Sequence, residues 1–590
     1  MGKKADPDTP ADEILGPVEL LEARARMYAD EAALALGPEV LSYGTWLEKA
    51  LNTAMRFEGR GVRPDDVVLL RFSLESFLDY AVAYIATLAV GAVAVPLAQG
   101  LPDDASTRVA TACQASWLAA PAADGSGTVI IGRTGPPAEL AQGIDTAAVR
   151  RRCATDIAEI LFTSGSTGDP QGVACPYGEI GFAYDLTPPV DLAVPARGVD
   201  LHAAAFGTNF CQEMLRSPLN WGSMVVTLPD FGAQTLRAAV QRYGVETLRL
   251  TPVMARMLAR LGPTDAAWLS GIREISVSSA YCPPEVLGRL QQAAPNAKIV
   301  NQYSLTESGR AKIKNVWGTD PADSLGRPVE GSEVRIVDER GTCAVNQVGE
   351  IQIRHVEAIS RAYLPASGDA APHAGDKADW ISTGDIGYVD GDGYVYLVDR
   401  AKDIINVGGR KVSPLAVERV LGQESAVADV AVVGVPHETL GEVVAAMVVL
   451  ADGYAVLPDI PLEWTLQPHE IPKIYVTSDH IPLNAAGKVS RDQVRTAITT
   501  RARPQDYTQR GPDDDDLAEV FRAICSHLLE RQIHGLGGNW FTEGGDSLTA
   551  VELLATLEDR FGIEMDEGLF FGEHTLHDIL DALRLRVSKL

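Results

Sequence analysis

LFTSGSTGDPQG, residues 161–172, runs from a strand-like entry into ten residues that hold three glycines and four hydroxyl side chains. Glycine lets backbone N–H groups come close to an anion, and Ser and Thr hydroxyls add donors, so the segment has the composition of a phosphate cradle. It is not a Walker loop, because GxxxxGK[ST] is not met and no lysine lies within it. A Gly/Ser/Thr-rich loop by itself is more often a plain turn; its surroundings separate the two readings.

From about Val18 to Val398, apolar strand-like runs alternate with amphipathic helices. Asp66–Phe72, a helix through Phe77–Leu88 and Ala92–Pro96 form one such passage. Val225–Leu228, a helix near Gln234–Tyr243, Thr247–Leu250 and a helix through Val253–Leu261 form another. This is the rhythm of βαβ units, and it predicts a largely parallel sheet in one large α/β lobe, residues 1–400. Turn dipeptides then cluster in GDIGYVDGDGYVYLVDRAKDIINVGGRKVSP (384–414), which reads as a hinge. A helix over Pro414–Leu421 and strands over Ala428–Val435 and Glu442–Leu450 predict a small α+β lobe, residues 401–500. RARPQDYTQRGPDDDD (501–516) has almost no apolar content and reads as a linker, its four aspartates as solvated chain. Residues 517–590 carry helical periodicity and form a separate all-α bundle.

At 590 residues the chain exceeds the size at which one core stops growing, in agreement with several domains. A hydrophobic fraction of 46% and a charged fraction of 22% exclude wholesale disorder. Charge is the outlying quantity: 51 Lys and Arg against 79 Asp and Glu leave a net of −28. Non-specific binding to nucleic acid or to an anionic membrane surface is therefore disfavoured. Residues 511–590 alone hold 17 acids and 6 bases, so more than a third of the excess lies in the last 80 residues. Seven cysteines stand singly, with no CxxC pair and no His-rich segment, which argues against a zinc site and fits a reducing cytoplasm. No apolar core follows the lysines of the N-terminal segment, and no run of about eighteen apolar residues occurs, so neither a signal peptide nor a membrane span is expected.

Three more motifs follow the glycine-rich loop: YSLTES (303–308), STGDIGYVDGDGYVYLVDRAKD (382–403) and PLNAAGKVSR (482–491). With the loop they resemble, in order and spacing, the signature blocks of the adenylate-forming superfamily, which comprises acyl- and aryl-CoA ligases, adenylation domains of non-ribosomal peptide synthetases and luciferases. The resemblance implies an ATP-dependent ligase that forms an acyl adenylate. That reaction brings a carboxylate against the α-phosphate of ATP, so negative charge must be neutralised in the transition state. By similarity, Thr163, Ser164, Gly165, Ser166, Thr167 and Gly168 would hold phosphates, and Tyr303, Asp385 and Arg400 would complete the ATP site, with Asp385 on the ribose hydroxyls. Thr306 would bond the α-phosphate, Glu307 would bind Mg²⁺, and Lys488 would bridge the substrate carboxylate and the phosphate. Lys402 occupies the family's hinge position, where the small lobe is expected to swing between adenylate and thioester formation. Gly408 and Gly409, in the loop Asn406–Lys411, would then face the incoming thiol.

A second signal is NWFTEGGDSLTAVELLATLEDRFGIEM (539–565). Gly544-Gly545 makes a tight turn, Asp546 and Ser547 open a helix, and Leu548, Val551, Leu554, Leu557 and Phe561 recur on one face. An isolated Asp-Ser-Leu would be an ordinary N-cap. The whole string resembles the G-G-x-S-L site of peptidyl and acyl carrier proteins, which implies that Ser547 receives a 4′-phosphopantetheine arm.

Aligning SPLNWGSMVV (217–226) with the family's G-P-L-x-x-G-G-x-L-V stretch puts Asn209 where amino-acid-activating members usually carry an aspartate for the α-ammonium. A neutral amide cannot make that ion pair, so the expected substrate is a carboxylic acid without a free α-amine, N-acylated or hydroxylated. The same alignment lines the pocket with Phe210, Glu213, Arg249, Ile275, Val277, Gln302, Arg310 and Ala311. Two buried arginines there would need an anionic partner, either Glu213 or a second acidic group on the substrate, unless the register is off by one and they face solvent.

The reading is thus an α/β adenylation lobe, a small mobile lobe and a helical carrier that together load an acid onto Ser547 at the expense of ATP, as in a non-ribosomal peptide or hybrid pathway. The partners implied are a phosphopantetheinyl transferase, downstream condensation or tailoring enzymes in trans and a small activator protein of adenylation domains. No condensation or thioesterase region is read after the carrier, so the acid is expected to pass to another protein. The alternative is an acyl- or aryl-CoA ligase with a vestigial carrier. A non-catalytic scaffold is improbable beside the intact Thr306, Glu307, Asp385 and Lys488 set. Gln171 replaces the lysine usual in the family's P-K-G, which removes a positive charge from the phosphate loop. Gln171→Lys is expected to tighten pyrophosphate binding several-fold in ATP–pyrophosphate exchange, and unchanged exchange kinetics would remove this effect from the account.

Overall fold

The computed structural model describes residues 16–122, 127–133, 152–164, 170–180, 198–202, 204, 206–229, 231–261, 266–359, 361–364, 379–437, 440–451, 453–458, 460, 462, 465–484, 488–501, 514–529, 533, 535–540, 542–543, 547–561, 563, 565, 569 and 574–587. The chain divides into two compact units, Met1–Leu397 with Ala485–Lys488, and Val398–Asn484 with Val489–Leu590.

The first unit is built on two large sheets. One has seven strands in the order 362–363, 170–176, 157–164, 93–98, 67–72, 117–121 and 128–133. The other has nine, in the order 327–328, 313–316, 298–303, 274–277, 247–250, 199–202, 224–227, 32–36 and 39–42. Its five central pairings, from Lys298–Tyr303 through to Ala32–Leu36, are all parallel, as the βαβ rhythm predicted. The helix Phe77–Ala89 is apolar on nearly every side because it lies in a core shared by both sheets, against Leu70 and Ala94 of one and Leu34 of the other. A smaller five-stranded sheet, in the order 341–342, 332–338, 349–355, 381–389 and 395–400, carries the hinge-block motif.

In the second unit, Val427–His437 and Gly441–Leu450 form a long hairpin, joined by Ile405–Val407, Arg410–Val412 and Ile474–Thr477. Asp399, 3% exposed, accepts from the Ser413 hydroxyl (2.6 Å) and the Leu415 N–H (2.8 Å), while Ser413 caps the helix Pro414–Gly422. The carrier region has its own core: Leu517, Phe521 and Cys525 of the helix Asp514–Leu528, Leu553, Leu554 and Leu557 of Ser547–Phe561, and Ile579, Leu580 and Leu583 of Leu576–Val587. Three of the aspartates read as linker, Asp514, Asp515 and Asp516, instead open the first of these helices. Negative charge is favoured at a helix N-terminus, so composition alone placed the boundary three residues late. Among the described residues, no helix is long and apolar enough to cross a membrane.

The central strand Val199–His202 buries a polar pair. Burial holds the fully enclosed His202 imidazole below its ordinary pKa, only partly offset by Asp200 at 3.9 Å and reinforced by Arg249, with Glu213 opposing. Burial works against ionisation of Asp200 too, yet His202 and Arg249, the latter at 3.5 Å, bring its carboxyl below the usual range. The unfolded chain therefore takes up protons on both groups before the folded one does. Stability should be full above pH 6.5, the ordinary histidine value, and decline as pH falls below it. The melting temperature should drop by a few degrees between pH 7 and 5.5, and less in His202→Gln; equal slopes would show that His202 is not the group responsible.

Candidate active site

The nucleotide motifs of the first unit are anchored by short polar contacts. Tyr303 ends the strand Lys298–Tyr303, and its hydroxyl donates to Asp385 Oδ2 at 2.6 Å. Asp385 is 4% exposed, and its N–H donates to Thr383 Oγ1, which itself donates to the Ile351 carbonyl. The carboxylate is thereby held in one orientation, suited to paired hydroxyls. The Thr306 carbonyl accepts from Arg361 at 2.7 Å, and Glu307 Oε1 accepts from the Tyr363 hydroxyl at 3.0 Å. Burial and the neighbouring carboxylate push the Tyr363 phenol upward, so it remains a donor. Ser308 closes the turn by bonding the Leu305 N–H and the Ala311 carbonyl.

Thr163 and Ser164 end the strand Ile157–Ser164, and Gln171 lies opposite Thr163 on Pro170–Pro176 with its side chain exposed. Gly165, Ser166, Thr167 and Gly168 lie outside the described residues, as do Gly544, Gly545 and Asp546. Ser547 is the first residue of its helix. Lys488 is half-buried. In the second unit Arg400 ends a strand, Lys402 is exposed in the turn that follows, and Gly408 and Gly409 turn the hairpin between Ile405–Val407 and Arg410–Val412 with φ of 56° and 89°. A side chain would strain that tip.

The predicted pocket helix, Asn209–Trp221, is capped by Thr208, whose hydroxyl accepts from the Cys211 N–H. Its C-terminal carbonyls are taken by buried donors: Leu219 and Asn220 by Arg24, Pro218 by the Tyr43 hydroxyl. Glu213, Arg249 and Gln302 come together on a cavity of about 300 Å³. Ile275 and Val277 do not. Arg249, Ser276 and Gln302 share the helix-facing side of the sheet, where Gln302 donates to Ser276 Oγ at 2.9 Å. Ile275 and Val277 occupy the opposite face, in a core with Leu248, Leu250 and Ile299. A strand alternates faces at every residue, so a register error of one exchanges the whole set; Glu274 lines the cavity instead, and Ser276 lies behind Gln302 as its hydrogen-bond acceptor. Phe210 stacks on His202 with ring centroids 6.4 Å apart, and Ala311 is fully buried.

Arg249 lines the cavity and Arg310 does not, and both arginines have carboxylate partners within the chain. Arg310 donates to Glu179 at 3.1 Å, and Arg249 pairs with Asp200. Glu213 faces Lys312 at 3.6 Å; burial would raise its pKa, but Lys312, with Arg249, holds it below the ordinary range. The requirement for a second acidic group on the substrate thus loses its basis. Sequence reasoning missed Glu159, Glu179, Arg216 and Arg361. Glu159 is fully buried and receives Arg216, Tyr84 (2.8 Å) and Gln212 (2.6 Å). Arg216 and Arg361 each reach Asn209 Oδ1 at 3.4 Å. The one available signal was a lone carboxylate in the apolar run of Ile157–Ser164; Arg361 carried none.

The comparisons with known proteins agree with this geometry. A model of the AMP-binding enzyme family matches residues 21–364, its C-terminal domain matches 416–488, and a phosphopantetheine attachment site domain matches 519–583. The chain is 28% identical over 571 residues to a probable non-canonical nonribosomal peptide synthetase, CymA, of Salinispora arenicola, covering 95% of this chain but only 7% of that protein. It is 28% identical to 4-coumarate–CoA ligase 5 of Oryza sativa, over 80% of this chain and 92% of the relative. The anthranilate CoA ligase AuaEII, solved in complex with anthranoyl-AMP, shares the fold with a TM-score of 0.67 at 21% identity, over 83% of this chain and 99% of that one. With more than half of its length matched by the family model, the chain belongs to the AMP-binding enzymes, and it carries a phosphopantetheine attachment domain behind the adenylating lobes.

Proposed function

We propose that the protein activates a carboxylic acid as its acyl adenylate and passes the acyl group to a thiol held on Ser547, as a loading unit of a non-ribosomal peptide or hybrid pathway. The observation that carries this reading is the presence, in one chain, of both parts of an AMP-binding enzyme and a phosphopantetheine attachment domain whose candidate serine heads a helix.

In the first step the substrate carboxylate attacks the α-phosphorus of ATP and pyrophosphate leaves. Lys488 neutralises the charge shared by carboxylate and phosphate, Thr306 bonds the α-phosphate, and Asp385, fixed by Tyr303, positions the ribose. Glu307 suits Mg²⁺, which needs only one or two carboxylates beside phosphate oxygens and water; bound there, the ion would offset phosphate charge. Asn209 supports an acid without a free α-amine, since two guanidinium groups bond its carbonyl oxygen and would oppose an ammonium at that place. In the second step the adenylate is cleaved by a thiol. Ser547 lies in the attachment domain, and the arm it would carry supplies that thiol. Lys402 is the proposed pivot, and the side-chain-free tip at Gly408 and Gly409 leaves room for the thiol to approach.

The second reading, delivery to coenzyme A, is favoured by the near full-length match to a CoA ligase. Intact mass separates the two after pantetheinylation and incubation with ATP and a panel of acids. Acyl mass on the protein that disappears in Ser547→Ala supports loading, whereas acyl-CoA alone supports the second reading. Lys488→Ala should slow adenylation on the order of 10²-fold while leaving pantetheinylation intact; an unchanged rate would contradict its role.

A further inference from the structure

The cavity beside Asn209–Trp221 has an unusual lining. Twelve of its thirteen residues are polar or charged, Trp221 being the exception. Small-molecule pockets are ordinarily lined mainly by apolar side chains. On this lining Asn220 Oδ1, Ser223 Oγ and Arg249 Nε are buried with no hydrogen-bond partner among the described residues. Asn220 and Ser223 are only 3% and 2% exposed. Buried polar groups are nearly always paired, so the three together mark a place where a ligand supplies the missing bonds.

The kind of ligand follows from what is left over. The charges on the lining are largely matched within the protein, Arg249 with Asp200 at 3.5 Å, Glu213 with Lys312 at 3.6 Å and Arg216 with Glu159. No net charge is called for. The unmet needs are a donor for Asn220 Oδ1, an acceptor for Arg249 Nε and either for Ser223 Oγ. The cavity also adjoins the adenylation motifs, because Gln302, on its wall, directly precedes Tyr303.

We propose that the acid activated by this protein has an uncharged tail bearing both hydrogen-bond donor and acceptor, such as a hydroxyl, primary amide or ureido group, and that Asn220, Ser223 and Arg249 select it. This rests on the adenylation reading above. An unsubstituted aryl or alkyl tail would strip water from twelve polar side chains and return no hydrogen bonds, so acids of the cinnamate or octanoate type are disfavoured.

The test uses the full-length chain and two readouts. Direct binding by calorimetry without ATP, and ATP–pyrophosphate exchange, are measured for ω-hydroxy, ω-carbamoyl and ω-ureido alkanoic acids of graded length, against cinnamate, octanoate, a dicarboxylate and an ω-amino acid. Acids with neutral polar tails should bind and exchange at least tenfold better than the rest. Ser223→Ala and Asn220→Leu, each checked for an unchanged melting profile, should lose that preference, Asn220→Leu gaining octanoate in return. Preference for the aryl, alkyl or charged acids, or a preference that survives both substitutions, overturns the proposal. Selective binding of the polar acids without exchange would leave the pocket assignment standing and overturn the adenylation reading instead.

Discussion

A buried carboxylate organises the large unit. Glu159 sits on the strand that leads into the phosphate-loop motif, with no exposure to water, and such a charge is tolerated only when cations and donors surround it. Removing one partner of a buried pair typically costs about 3–5 kcal/mol, so the pairing with Arg216 commits the strand Ile157–Ser164 to the helix Asn209–Trp221. Tyr84 and Gln212 both donate to the other Glu159 oxygen, Oε2. Arg216 in turn reaches Asn209, Asn209 is shared with Arg361, and Arg361 holds the carbonyl of Thr306. One continuous polar chain thereby aligns the strand before the phosphate loop, the head of the pocket helix and the Thr306–Glu307 motif.

The same helix defines the pocket from its other end. Arg24 and Tyr43 bond carbonyls of its last turn, and Gly222 ends it with φ of 70°. Asn220 and Ser223 are thus held on the cavity wall by a backbone whose Pro218, Leu219 and Asn220 carbonyls are bonded. Preorganisation of this sort lets polar side chains discriminate, since they cannot turn aside to satisfy one another.

The charge of the chain acquires two meanings. Within the large unit, acids and bases are interleaved and buried in pairs around a cavity. In the carrier region the acids outnumber the bases almost three to one, and three of them open the helix Asp514–Leu528, where the helix dipole favours them.

The residue order alone was enough for the α/β alternation, the four adenylation motifs and the Ser547 helix, because backbone turns, apolar periodicity and phosphate chemistry are written in contiguous stretches. Glu213, Arg249 and Gln302, far apart in the sequence, line one cavity. What tertiary structure alone decided is which side chains face each other across distant segments. Ile275 and Val277 turned to the opposite face of their strand because one step of register reverses every side chain. Arg310 found Glu179, and Arg361 found Asn209 and Thr306, across separations of 131, 152 and 55 residues. Such pairings follow from where buried charge must be neutralised once the sheets have closed on each other, and no local pattern in the sequence encodes that.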